Sequence, residues 1–340
     1  MKAAFVTDIS QVEVMEIEQP EITDTEVLIK TKMIGICGSD VHLFRGSHPF
    51  RHPPAILGHE ISGEIVQVGS KVKRFSVGDR VTVEPQIGCG VCEMCKQGYV
   101  SLCSDKIVPG TAKWIGTFCE YFPSDEHVLY KLEDKTSYEL GAMVEPLAVA
   151  IHALNHAQTK SGTLVILGGG TIGQLLLAVA KRKGYNQIIL TDTIPFNREF
   201  AFKHGASATF SPLTDDIPTH IKSLTGGIGA DIVIVAAGSS NIINQACSCL
   251  KKRGELCLVA MITEQYPFYS YSVVFNELRI YGSMCYESKD FAEAVDLVNG
   301  DMDLYDYATQ VLPGLTEAQK GLEILSKKSE NCVKVLIKMP

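Results

Sequence analysis

Apolar positions divide the chain into two stretches of different period. In the first, residues 12–17 and 27–33 alternate apolar and polar side chains, the period of half-buried strands. Residues 63–68 and 80–83 are short β-branched runs bounded by glycines, with a Gly-Asp turn at 78–79. Helical periodicity is scarce before residue 138, and there the pattern changes. Residues 163–167 form a compact apolar strand, followed by glycines and a long apolar helix over 172–183. Strands over 187–190, 231–236, 255–260 and 278–282 continue the alternation, and a helix over 197–204 ends at Gly205. Strands separated by helices predict βαβ units and a parallel sheet. An amphipathic helix from Lys289 and a strand over 333–338 close the pattern, with no internal repeat or low-complexity linker.

Length and composition narrow the classes. A chain of 340 residues is long enough for two domains, each with its own apolar core. No apolar run approaches the length of a membrane span, and the N-terminus MKAAFVTDIS lacks the apolar region of a signal peptide, so a cytoplasmic chain with no membrane partner is expected. A formal net charge of -8 argues against nucleic acid, which favours basic surfaces. The 11 cysteines then point to metal ligands and buried thiols rather than disulfides.

Four of those cysteines carry the strongest motif. Cys89, Cys92, Cys95 and Cys103 are spaced C-x2-C-x2-C-x7-C and threaded with Gly88, Gly90 and Gly98. The short intervals let one loop turn three thiolates toward a common centre that the fourth closes, which makes a structural zinc site. Thiolate spacing alone leaves an iron–sulfur cluster as the main rival, and a nucleic-acid-binding ribbon is disfavoured because the loop has few basic residues beyond Lys96 and Lys106. A second constellation combines Cys37, Gly38, Ser39, Asp40, Val41 and His42 with Gly58, His59 and Glu60. One thiolate, one imidazole and one carboxylate can hold zinc with a fourth position open, the mark of a catalytic site. Taken singly, Cys37 reads as a small buried residue and His59 as a core histidine.

The third motif follows the strand over 163–167. Gly168, Gly170 and Gly173 spell G-x-G-x-x-G, enclosing Thr171 and Ile172, between a strand and a helix. That context suits a dinucleotide pyrophosphate at a helix N-terminus. Asp192 ends the next strand, where its carboxylate can accept from an adenosine ribose and repel a 2′-phosphate, so NAD is favoured over NADP. Arg198 lies close enough to blur that preference, or is simply a solvated helix residue.

These motifs, in this order, resemble the zinc-containing medium-chain dehydrogenase family, closest to its sorbitol-type polyol and butanediol branch. The resemblance spans nearly the whole chain: MKAA at the start, Gly-His-Glu at 58–60, Val-Gly-Asp-Arg at 77–80, the four-cysteine lobe, Glu145-Pro146-Leu147, the glycine fingerprint, and Asn276-Glu277-Leu278 before Gly282-Ser283. It implies an α/β protein with a GroES-like β-rich catalytic domain over 1–150, a doubly wound Rossmann NAD-binding domain over 151–285, and a return to the catalytic domain over 286–340. It implies a catalytic zinc on Cys37, His59 and an acid, a structural zinc on the four-cysteine lobe, and NAD. Two acids compete for the third ligand: Glu60, taken as a ligand in sorbitol-type members, and Glu145, which stands where classical alcohol dehydrogenases carry a cysteine. Glu60 can instead be a carboxylate that tunes the site from behind the ligands. Ser39 matches the hydroxyl that bonds the substrate oxygen and His42 the histidine at the solvent end of the proton relay. Hydride passes to the nicotinamide. A homo-oligomer, dimer or tetramer, is expected by resemblance.

The substrate is less legible. The resemblance implies a neutral polyol, cyclitol or vicinal diol; a butanediol or short-chain secondary alcohol is the nearest alternative. Arg45, His48, Arg51 and His52 crowd the loop after His42, which suits either a solvated basic loop or an anionic substrate such as a sugar acid or sugar phosphate. Trp114 and Phe118 read as pocket-wall or core aromatics. A dinucleotide-binding protein that has lost catalysis would lack Cys37, His59 or Ser39, and all are present.

Overall fold

β-branched and apolar runs in the first part of the chain become strands, as their alternation predicts. The structure is a computed structural model and describes every residue except 50, 240, 263 and 329. In chain order the first elements are β1 (Lys2–Asp8), β2 (Gln11–Glu16), β3 (Glu26–Gly35), α1 (Gly38–Phe44), β4 (Ala55–Ile56), β5 (Glu60–Val68) and β6 (Arg80–Val83). Then come α2 (Glu93–Lys96), β7 (Tyr121–Asp125), β8 (Leu129–Lys131), α3 (Tyr138–Ala142) and α4 (Val144–His156). The alternation read over 27–33 is incomplete: Leu28 is buried as well as Val27, Ile29, Thr31 and Met33, while Lys30 and Lys32 are half-buried, and β3 pairs with β5, β7 and a strand from the end of the chain. The short α1 carries too few residues for a periodic signal.

The second part alternates strand and helix: β9 (Thr163–Leu167), α5 (Thr171–Lys183), β10 (Gln187–Thr191), α6 (Pro195–Lys203), β11 (Ala208–Phe210), α7 (Ile217–Leu224), β12 (Ala230–Val235), α8 (Ile242–Cys249), β13 (Leu250–Leu258), α9 (Ser270–Asn276) and β14 (Arg279–Gly282). Their parallel sheet runs β11-β10-β9-β12-β13-β14. Strand order reverses between β9 and β12, the switch point where open sheets of this kind bind dinucleotides. A core of Val165, Ile189, Val233, Leu256 and Ile221 holds one face. The sequence reading placed no helix at α7, whose start is set by Asp216 accepting from the Thr219 N–H at 3.4 Å and by Pro218 in the first turn.

The chain ends with α10 (Ser288–Asn299), β15 (Gln310–Pro313), α11 (Ala318–Lys327) and β16 (Val335–Lys338). β15 and β16 complete a sheet in the order β15-β16-β3-β5-β6-β8, with β7 also on β3. Two compact units result, Met1–Ala148 with Glu287–Pro340, and Val149–Tyr286. Trp114 and Phe118 pack in the core of the first unit: Trp114 stacks on Phe122 and its indole N–H donates to the Pro123 carbonyl at 2.7 Å. Among the described residues no helix is long and apolar enough to cross a membrane.

Candidate active site

Strand register builds the centre. In the antiparallel pair β3·β5, Gly35 stands opposite Glu60, so the chain just past one strand and just before the other brings Cys37 beside His59. On the other flank Leu336 of β16 faces Gly35, and the Ile36 N–H donates to the Val335 carbonyl at 3.1 Å, which carries Lys334 to the same level. Donor atoms of Cys37, His59 and Glu60 all lie within 4.8 Å of one another.

Glu60 needs the glycine opposite it. A β-carbon on Gly35 would lie 1.8 Å from the Glu60 Oε2, so only a bare backbone leaves room for the carboxylate. Lys334, itself buried, ion-pairs with Glu60 Oε2 and donates from Nζ to the Ile36 carbonyl at 3.0 Å. Burial opposes charge on Lys334, but Glu60 and then Cys37 outweigh it and hold the ammonium above its ordinary range. Asp40, buried in α1, ties the two ligand-bearing segments. Its Oδ2 accepts from the Cys37 N–H at 3.0 Å, its Oδ1 from the Gly58 N–H at 3.2 Å, and Oδ1 lies 3.7 Å from His59 Nδ1. Burial pulls the His59 pKa down, yet the negative charge of Cys37, Asp40 and Glu145 raises it to about 10.

This donor set suits a zinc ion. Soft sulfur, imidazole and carboxylate converge, His59 Nδ1 and Glu60 Oε1 are buried without hydrogen-bond partners among the described residues, and the surplus negative charge that lifts His59 calls for a cation. Glu145, buried in the first turn of α4, stands outside the three-residue cluster, though its charge acts on both His59 and Lys334. Ser39 and His42 are half-buried on α1, three residues apart and so on one face, about 4.5 Å along the axis. His42 Nδ1 lies 3.2 Å from the Ser47 hydroxyl. Burial first, and Arg45 second, lower its pKa below the usual imidazole value.

The second cysteine group also converges. Sulfur atoms of Cys89, Cys92, Cys95 and Cys103 lie within 4.8 Å of one another. Backbone N–H groups of Cys92 and Cys95 donate to Cys89 and Cys92 at 3.4 Å each, curling the loop around the centre. N–H groups of Val91 and Cys92 lower the Cys89 thiol to about 7. Gly90 favours the Cys95 thiolate, but burial and the neighbouring sulfurs push it up to about 12, so full ionisation of the set needs a cation at its centre.

At the end of β9 the glycine loop turns into α5. A β-carbon on Gly173 would lie 1.8 Å from the Gly168 carbonyl oxygen, so helix and loop meet only through glycine. Gly170 caps α5, with Thr171 and Ile172 in its first turn. Asp192, just after β10, accepts from the Gly169 N–H through Oδ2 and from the Ile194 N–H through Oδ1, both at 2.7 Å. Arg198 is half-buried rather than solvated: its Nη1 donates to the Asp192 and Thr193 carbonyls at 2.8 and 3.1 Å.

Sequence reasoning assigned no role to Asp40, Gln174 or Lys334. Asp40 had a signal, an acid three residues after a helix-capping Cys37. Buried Gln174 donates to the Gly169 and Asn197 carbonyls at 2.9 and 2.8 Å and braces the glycine loop. Lys334 had a weaker signal, one cation inside the apolar run 333–337.

Comparison with known proteins identifies the family. Residues 23–134 match the family model of the alcohol dehydrogenase GroES-like domain and residues 171–300 that of the zinc-binding dehydrogenase. The chain is 33% identical to a sorbitol dehydrogenase of Bacillus subtilis, over 99% of this chain and 97% of that one. It is 33% identical to a D-arabitol-phosphate dehydrogenase of Enterococcus avium, over 96% and 94%. The crystal structure of 2R,3R-butanediol dehydrogenase from Bacillus subtilis superposes with a TM-score of 0.90 at 31% identity, over 99% of both chains. The chain therefore belongs to the zinc-containing medium-chain dehydrogenase family, on its polyol dehydrogenase branch.

Proposed function

We propose that the protein oxidises a secondary hydroxyl of a polyol with NAD as hydride acceptor. One observation carries the reading: Cys37, His59 and Glu60 converge beside the helix that bears Ser39 and His42. Cys37, His59 and Glu60 would hold the catalytic zinc, with Glu145 as the alternative acid, and Cys89, Cys92, Cys95 and Cys103 a structural zinc. Zinc, when bound, lowers the pKa of an alcohol toward neutrality, and the nicotinamide supplies the acceptor for hydride. Lys334 fixes the Glu60 carboxylate, and Asp40 orients the Cys37 and His59 segments. Ser39 receives the hydroxyl proton, and His42, neutral because burial lowers its pKa, takes it toward solvent.

Gly168, Gly170, Thr171, Ile172 and Gly173 would cradle the pyrophosphate, and the Asp192 carboxylate would favour NAD by repelling a 2′-phosphate. Arg198 would brace the strand end that carries Asp192. We also propose a cytoplasmic homo-oligomer. Tyr271, Val274 and Phe275, exposed on α9 near the outer strand β14, support association with a second copy.

The test is a panel of polyols and diols with each coenzyme, followed by absorbance of reduced nicotinamide. Polyol oxidation with NAD, lost in Cys37→Ser while NAD binding persists, is expected. Activity confined to 2,3-butanediol would favour the second reading, which the superposition on the butanediol enzyme supports. No turnover, with one zinc per chain, would overturn both readings. The relatives' names include a neutral polyol and a polyol phosphate, so kinship leaves the substrate's far end open.

A further inference from the structure

The metal site leaves one feature of the first unit unused. From Val41 to the residue before His59 the chain carries His42, Arg45, His48, Arg51 and His52 and not one acid, in a protein of net charge -8. Among the described residues no carboxylate pairs with Arg45 or Arg51. The two arginines differ. Arg45 has its Nε engaged with the Ser326 hydroxyl of α11 at 2.7 Å. Arg51 is half-buried, and its Nη1 reaches the turn at Gly110, 3.6 Å from where a β-carbon would stand.

Arg51 also organises His48. Its backbone N–H donates to His48 Nδ1 at 3.1 Å. An N–H can be received only by the unprotonated ring nitrogen, so the neutral imidazole carries its proton on Nε2 and is a donor there. A guanidinium fork and an imidazole N–H thus stand three positions apart in the chain. The loop that carries them is tied to the centre at both ends: the Ser47 hydroxyl lies 3.2 Å from His42 Nδ1, and the Gly58 N–H donates to Asp40 Oδ1 at 3.2 Å. His48 is within electrostatic reach of His42 and Asp40, and Asp40 contacts the His59 segment.

We infer that the substrate carries an oxyanion at the end away from the reacting hydroxyl, and that Arg51 and His48 bind it. This rests on the polyol reading above and narrows its substrate class. Phosphate monoesters and carboxylates share the required chemistry, since a guanidinium meets either with paired N–H donors. Arg51 and His48 are specificity residues and take no part in bond making.

The experiment uses the full chain, zinc-loaded, with NAD. kcat/KM is measured on a pentitol, its terminal phosphate monoester and the matching aldonate. The wild type should favour one anionic form over the neutral pentitol, and which form identifies the source of the oxyanion. In Arg51→Ala the ratio of anionic to neutral kcat/KM should fall about 10- to 100-fold, mainly through KM, as expected for losing a charge-assisted hydrogen bond. Arg51→Lys should recover part of it, and inorganic phosphate should compete with substrate in the wild type and about tenfold less well in Arg51→Ala. A wild type that prefers the neutral pentitol, or a ratio unmoved by Arg51→Ala, overturns the inference and leaves the polyol reading standing. If no pentitol, phosphate or aldonate reacts while a simple diol does, the polyol reading falls; phosphate that then fails to inhibit sinks the oxyanion site as well.

Discussion

Lys334→Met tests the charge balance behind the candidate metal site. Lys334 and Glu60 are each about 1% exposed, and the Lys334 ammonium is the ion-pair partner recorded for Glu60. Methionine fills similar volume, so the main loss is electrostatic. Removing one member of a buried pair leaves its partner's charge uncompensated, which costs about 3–5 kcal/mol. In zinc-free protein, urea unfolding followed by circular dichroism should show that loss at unchanged slope. With zinc bound, a dication beside Glu60 should make the loss smaller. Glu60→Gln in the Lys334→Met background should recover at least half, because the orphaned charge disappears with its partner. A zinc-free Lys334→Met chain within about 1 kcal/mol of wild type, or no recovery in the double variant, would refute the assigned role of the pair.

Other substitutions separate the remaining elements. Cys92→Ser should remove one zinc per chain by metal analysis and lower Tm, while coenzyme binding to the zinc-replete fraction persists. Asp192→Ala should reduce the NAD-over-NADP ratio of kcat/KM by about tenfold, because the repelling carboxylate is gone; an unchanged ratio would remove Asp192 from coenzyme choice. Glu255 gives a pH test. It accepts from the Gln158 and Thr159 N–H groups, the Thr159 hydroxyl and Arg279 at 2.6–3.0 Å, and although burial raises its pKa, these donors hold it below 4.5. With the folded value depressed, its stabilisation is present above about 4.5 and lost as pH falls through that lower value. Glu255→Gln should therefore destabilise the protein at pH 7 by about 1–3 kcal/mol and flatten the acid limb of the stability profile. A parallel limb in variant and wild type would exclude that linkage.

Legibility in the sequence followed the range of the forces involved. Cys89 to Cys103 and Gly168 to Gly173 were readable because a single loop supplies each centre, so spacing encodes geometry. The parallel sheet was readable because its strands are buried runs separated by helices. Cys37 and His59 were readable as candidate donors, but what brings them together is the register of β3 against β5, which no local pattern states. Lys334 was invisible as a site residue for the same reason: its partner lies across a sheet assembled from both ends of the chain. Trp114 and Phe118 stayed ambiguous until their packing on Phe122 and the β1 region placed them in the core. Arg198 gave the opposite surprise, because carbonyls at the end of β10 satisfy it locally.

The strand that brings Lys334 also sets an order of events during synthesis. Ile36 and Lys334 lie 298 positions apart, and at ribosomal speeds that interval takes about 15–60 s. For most of it, once residue 60 is made, the nascent chain holds Glu60 with Cys37 and His59 but not the cation that answers them. A product that stops before residue 334 keeps the ligands and lacks the counter-charge, a defect that proteases sampling unstable chains would act on.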